Sequence, residues 1–201
     1  MEGSVKVMPW NYSNCDPKEL GVLIAGMLME LVRLNDGLPL RQDHLTRFHS
    51  RAPPAISVHA YLDRLIVHAT LSPPILLSMV FYVDKLCSML PDFTISSLTV
   101  HRFLITAATV AAKGLSDSFW TNSLYAKVGG VSVQELATLE LEFLHLVDWR
   151  IVPKPETLVD YYKGLVHRAE GYALEPEEDA AAEEMIPQEE TAAVEQSRDD
   201  P

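Results

Sequence analysis

The chain has 201 residues, enough for one domain with a substantial core. Its formal charge of -12 is unevenly spread: residues 171–201 hold eleven of the 28 acidic side chains and one of the 16 basic ones, so the remainder is close to neutral. Neither part offers the basic face that binding to a phosphate backbone requires, and nucleic acid is therefore not an expected partner.

Residues 1–15 read as an N-terminal arm. Its Asn11-Tyr12-Ser13 sequon is taken as chance, because no signal peptide opens the chain, and Cys15 and Cys87 stand in no CxxC spacing. Reduced thiols in the cytoplasm or nucleus are the expectation. Asp16-Pro17-Lys18-Glu19 then has the form of a helix start, with Asp16 as N-cap, Pro17 at the first helical position and Glu19 three residues on. Leu20, Leu23, Ile24, Met27, Leu28 and Leu31 follow at helical spacing, so residues 16–36 are predicted as a flanking helix that ends at Asn35-Asp36-Gly37.

A polar connection leads past Phe48 to Pro53-Pro54, where helix is excluded. A second helix is predicted over 57–69 and a third from Ser72-Pro73-Pro74 to just before Pro91. The fourth, Val100 to Lys113, is apolar or small on nearly every face beyond its first turn, which marks a helix surrounded by others. Alanines at 107, 108, 111 and 112 would let neighbours approach closely. Lys113 ends it, with Gly114 as the stop signal, and sets an ammonium at the rim of the core, where it needs an acceptor or solvent. The simpler reading of that position is a helix-end lysine complementing the macrodipole, worth about 0.3–1 kcal/mol.

A short segment near 119–127 leads to Gly129-Gly130. Ser132-Val133-Gln134-Glu135 is a second capping box, opening a helix to Asp148. A last helix is predicted from Pro155 to Ala169, within a C-terminal region 153–170. No period-2 run suggests a strand, and no uninterrupted apolar stretch reaches the length of about 18 residues that suggests a membrane span. The fold class is thus all-α, followed by a disordered acidic tail over 171–201.

Catalytic chemistry finds little support. His101 and His145 read as structural, no HExxH or Cys/His spacing implies a metal, and Gly129-Gly130 lacks the rest of a phosphate loop. Asp63, Asp84 and Glu142 read as solvated or paired helix carboxylates. No enzyme activity, cofactor or metal is expected.

Several stretches resemble the cyclin family. Phe81-Tyr82-Val83-Asp84-Lys85-Leu86 is similar to its second box helix, Ala111-Ala112-Lys113 to the end of its third, and Leu139-Glu140-Leu141-Glu142-Phe143-Leu144 to the start of its fifth. Ser97 to Thr106 and Asn122 to Ser132 resemble more narrowly the P/U-type cyclins of plants and the phosphate-pathway cyclins of fungi; Asp148-Trp149-Arg150-Ile151-Val152-Pro153 has the fungal character.

The resemblance implies a single cyclin box of about five helices, over 48–152. It also implies a regulatory subunit that binds and activates a proline-directed Ser/Thr cyclin-dependent kinase, within phosphate-starvation signalling. Lys113 and Glu140 correspond to a lysine and a glutamate that lie together in the family and bond kinase backbone beside its mobile C-helix. The implied partner is the kinase, with an inhibitor subunit and kinase substrates as further candidates, in nucleus and cytoplasm. Two departures are visible. Gly114-Leu115-Ser116-Asp117 stands where cell-cycle cyclins have an aromatic and two glutamates, and Tyr61-Leu62-Asp63-Arg64-Leu65 does not reproduce their substrate-docking patch. The rival reading is a cyclin-fold scaffold or transcription-factor subunit acting without a kinase.

Overall fold

The computed structural model describes residues 5–39, 45–90 and 93–177. Within them lie seven α-helices and two short strands: β1 (Lys6–Met8), α1 (Pro17–Asn35), α2 (Val58–Ala69), α3 (Pro73–Met89), α4 (Val100–Leu115), α5 (Asn122–Gly129), α6 (Val133–Leu146), α7 (Pro155–Arg168) and β2 (Tyr172–Leu174).

The caps predicted at Asp16 and Ser132 act locally, Asp16 accepting the amide of Lys18 at 3.0 Å and Ser132 that of Glu135 at 3.0 Å, and the structure adds Ser57, which accepts the amide of Ala60 at 3.2 Å; each satisfies an otherwise orphaned donor. Ser72 makes no such bond, and the start of α3 rests on Pro73. Glu19 does not close a box; its carboxylate takes Lys6 at 2.6 Å, tying β1 to the first turn of α1.

Helix α4 is the axis of the fold. Residues from Phe103 to Ala112 are all buried, and α2, α3, α5 and α6 pack around it. Its two deepest hydroxyls have no outside partner to meet, so Thr106 and Thr109 donate back to the carbonyls of Arg102 and Ile105 at 2.7 and 2.8 Å. Arg102, the one cation in its first turns, donates to the Arg47 and His49 carbonyls at 2.9 and 3.0 Å and pairs with Glu135. It thereby fastens both the connection after α1 and the start of α6. Phe48, fully buried, anchors that connection edge-on against Phe93 and Phe143.

Helix α1 lies across α2 and α3, burying Leu20, Leu23, Ile24, Leu28 and Val32, and α7 packs on α3 and α1. The N-terminal helix is therefore part of the core. Buried tyrosines tie remote segments: Tyr61 donates to the Gly129 carbonyl at 2.9 Å, Tyr82 to Ile151 at 2.7 Å and Tyr162 to Pro9 at 2.7 Å.

Four expectations are corrected. The arm and the start of the presumed tail form a two-stranded parallel sheet, Lys6 opposite Tyr172, Val7 opposite Ala173 and Met8 opposite Leu174. Lys6 N–H donates to Gly171 and Glu175 N–H to Met8, each at 2.8 Å, so residues up to Glu175 belong to the folded body. Three-residue strands are too short to show a period of two. Gly114 does not stop α4, which runs on to Leu115; a Cβ at 114 would lie 2.7 Å from the Ile151 side chain, so its smallness serves close packing. Helix α6 ends at Leu146, ahead of Asp148, and Asp148 and Trp149 are left-handed, with φ of 54° and 57°. His145 is exposed, its ring edge-on to Trp149. The acidic tail beyond residue 177 lies outside the described residues.

Candidate functional site

Lys113 stands in the last turn of α4, where the buried helix reaches the surface, and Glu140 in the middle of α6. The structure brings them together. The ammonium donates to both carboxylate oxygens, at 2.6 and 2.8 Å, and Asn122 at the first position of α5 donates to one of them at 3.1 Å. Three helices thus meet at one carboxylate.

Neither side chain is sealed in. Lys113 is 29% exposed and Glu140 14%. An ammonium has three donors and a carboxylate about four lone-pair positions. Among the described residues two donors and three acceptor positions are used, which leaves one N–H and about one lone pair to offer to a partner. Such a pair can hold both a carbonyl and an amide of an approaching backbone.

Apolar side chains are exposed on both sides. Phe119 and Trp120, about half exposed, lie in the link that ends at Asn122. Trp149 and Val152 are exposed beyond α6, on the segment whose Ile151 packs on Gly114, the neighbour of Lys113. That segment is held in its left-handed turn by Trp149 N–H donating to Leu144 at 2.9 Å and by the Tyr82–Ile151 bond. Left-handed non-glycine residues cost of order 1–3 kcal/mol each where they persist. Exposed aromatics grouped around a fixed polar pair have the composition of a protein-binding surface.

The remaining candidates for chemistry do not converge. Asp84 accepts the Tyr161 hydroxyl at 2.5 Å and Glu142 pairs with Arg47 at 3.7 Å, while Asp63 is exposed on α2. Among the described residues no group of His, Cys, Asp and Glu could hold a metal ion, and no helix is long and apolar enough to cross a membrane. Cys15 and Cys87 are free thiols. Residue pattern alone missed Asn122, since a short amide at a helix start carries no distinguishing signal, and it missed the exposed aromatics because apolar character reads as core.

The arrangement is an all-α fold around the buried axis α4, with a Lys–Glu pair that joins α4 to α6. The Cyclin family model matches residues 22–151, and the chain belongs to the cyclin family. The match begins inside α1, ahead of residue 48. The chain is 63% identical over 179 residues to the Nuc-1 negative regulatory protein preg of Neurospora crassa, covering 86% of this chain and 37% of that one. It is 44% identical over 156 residues to the PHO85 cyclin PHO80 of Saccharomyces cerevisiae, covering 76% and 53%. Cyclin-U4-1 of Arabidopsis thaliana is 35% identical, covering 75% and 77%. The expected branch, shared by fungal phosphate-pathway and plant P/U-type cyclins, is thereby borne out. The chain spans between a third and about half of the length of the two fungal relatives.

Proposed function

We propose that this chain binds and activates a proline-directed Ser/Thr cyclin-dependent kinase of the PHO85 kind, in phosphate-starvation signalling. The observation that carries the reading is the Lys113–Glu140 pair, exposed at its outer edge, buttressed by Asn122 and flanked by exposed aromatics. Its spare donor and acceptor suit the irregular backbone beside a kinase C-helix. Holding that helix inward keeps the kinase's own Lys–Glu ion pair assembled, a condition for phosphoryl transfer. Activation is then a population shift toward the arrangement that the cyclin binds more tightly. The relatives named as a PHO85 cyclin and as a negative regulator support both the partner and the pathway.

In this reading the chain has no active site of its own and needs no cofactor. An inhibitor subunit and kinase substrates are further partners, nucleic acid and membrane are not, and the complex works in nucleus and cytoplasm. The test is purification of the full chain from its native cell, with mass spectrometry and an assay on a Ser-Pro peptide. A co-purifying kinase whose activity depends on Lys113 and Glu140 supports the reading. Recovery of a stable complex with no kinase supports the scaffold alternative.

A further inference from the structure

A second surface lies apart from the Lys113–Glu140 pair and shares no residue with it. Helices α1 and α7 form the walls of a cleft of about 840 Å³ whose floor is α3, through Val80 and Val83. Gly26 and Gly164 stand on its two walls, and an added Cβ at either position would meet nothing within 4 Å. The missing side chains keep the cleft open, and Val22, Met27 and Leu165 give its walls an apolar lining. Val22 is 46% exposed.

The charge at the rim decides what fits. Each of the three helices contributes a carboxylate, Glu30 from α1, Asp84 from α3 and Asp160 from α7. Against them stand Arg168 and His59. Asp84 is held by the Tyr161 hydroxyl at 2.5 Å and keeps further lone pairs for a cation. We infer that this cleft is a docking site for a segment of a partner protein that carries arginine or lysine among apolar anchors. The apolar side chains enter over Val80 and Val83, between the two glycines, and the cations meet the three carboxylates. The chain's own residues 178–201 are strongly acidic, with Arg198 as their one base. Like charge at the rim opposes them, and this selects a partner over self-occupancy.

The inference is tested by fluorescence anisotropy on the full chain, with a short labelled peptide of leucines and arginines at helical spacing. Gly164→Leu and Gly26→Leu fill the cleft at positions where the fold has room, and helix propensity favours both exchanges. Each is expected to weaken peptide binding about tenfold or more, since exclusion of a buried anchor removes a hot spot, while the melting temperature does not fall. Asp160→Arg is expected to weaken binding and to flatten its salt dependence, and a leucine–glutamate peptide is expected not to bind. Equal binding by the wild-type chain and both leucine variants would overturn the inference, as would preference for the acidic peptide. Tighter peptide binding after truncation beyond Glu177 would assign the cleft to the chain's own C-terminal segment instead. A dimer abolished by Gly164→Leu would assign it to a second copy.

Discussion

At the scale of single residues, the Lys113–Glu140 pair joins two roles that ordinary mutagenesis would confuse. It links α4 to α6 internally, and in the proposed reading its outward donor and acceptor meet the kinase. Lys113→Glu puts two carboxylates side by side, so it disturbs both roles. Exchanging the two, Lys113→Glu with Glu140→Lys, restores the internal pair with reversed polarity. The double variant is expected to melt within a few degrees of the wild type yet to lose about 2–5 kcal/mol of kinase affinity, the cost of mispaired interfacial charge; calorimetry and titration against the kinase check both halves.

His101 gives a second residue-scale prediction. Its Nε2 faces the Ile56 carbonyl at 2.9 Å, and its buried Nδ1 has no hydrogen-bond partner among the described residues. Burial, together with the nearby Arg64 guanidinium, holds the imidazole below its ordinary value of 6.5, although the Ile56 bond acts the other way. The unfolded chain therefore takes up the proton first as pH falls. Stability from this residue is fully present above 6.5 and is lost as pH drops below it. His49 is shifted in the same direction by burial. A His101→Gln variant should show a shallower fall of melting temperature between pH 7 and 5 than the wild type (a window bracketing the free histidine value).

At the scale of elements, the close approach of α5 to α4 depends on one missing side chain. A Cβ at Gly129 would lie 2.5 Å from Ile105 Cγ1 and 3.2 Å from its Cβ, in the middle of the buried axis. Gly129→Ala is expected to cost about 1–3 kcal/mol through overpacking, read from the midpoint of urea unfolding. Helix α1 is the larger case. Its apolar stripe covers α2 and α3, and Gly21 sits directly against Ile66. A helix of this length is marginal alone, and the surface beneath it is equally unable to face water. A chain lacking the residues before Gly37 should lose its cooperative thermal transition, not merely melt a few degrees lower.

At the scale of the whole molecule, the parallel pairing of β1 with β2 joins the two ends of the described chain. Tyr162 holds Pro9, Lys163 lies 3.8 Å from the centre of the Trp10 ring, and Glu175 accepts the Trp10 amide at 3.4 Å. The folded body thus extends at least to Glu175 and does not stop at Gly171. Truncation after Glu177 should leave melting temperature and kinase activation unchanged. Truncation after Glu170 removes β2 and should lower the melting temperature and raise hydrogen exchange at Lys6 to Met8.

Much of this architecture was legible in the residues because its causes are local. Caps at Asp16 and Ser132, apolar spacing along the first helix and the all-round apolar character of α4 each act within a turn or two of the chain. They fixed the order and approximate ends of six of the seven helices and the burial of the fourth, while α5 was read only as a short segment near 119–127. Charge distribution separated a near-neutral body from an acidic end. What tertiary structure alone decided are the meetings of distant segments: β1 with β2, Gly114 with Ile151, Asn122 with Glu140, and the cleft between α1 and α7. The Lys113–Glu140 pairing was foreseen through resemblance to a family, never from spacing, because 27 residues separate the two and no local rule links them. Side-chain pattern specifies which face of each element avoids water. Which partner covers that face depends on how the elements pack, and only there do a lysine at a helix end and a glutamate on another helix become one site.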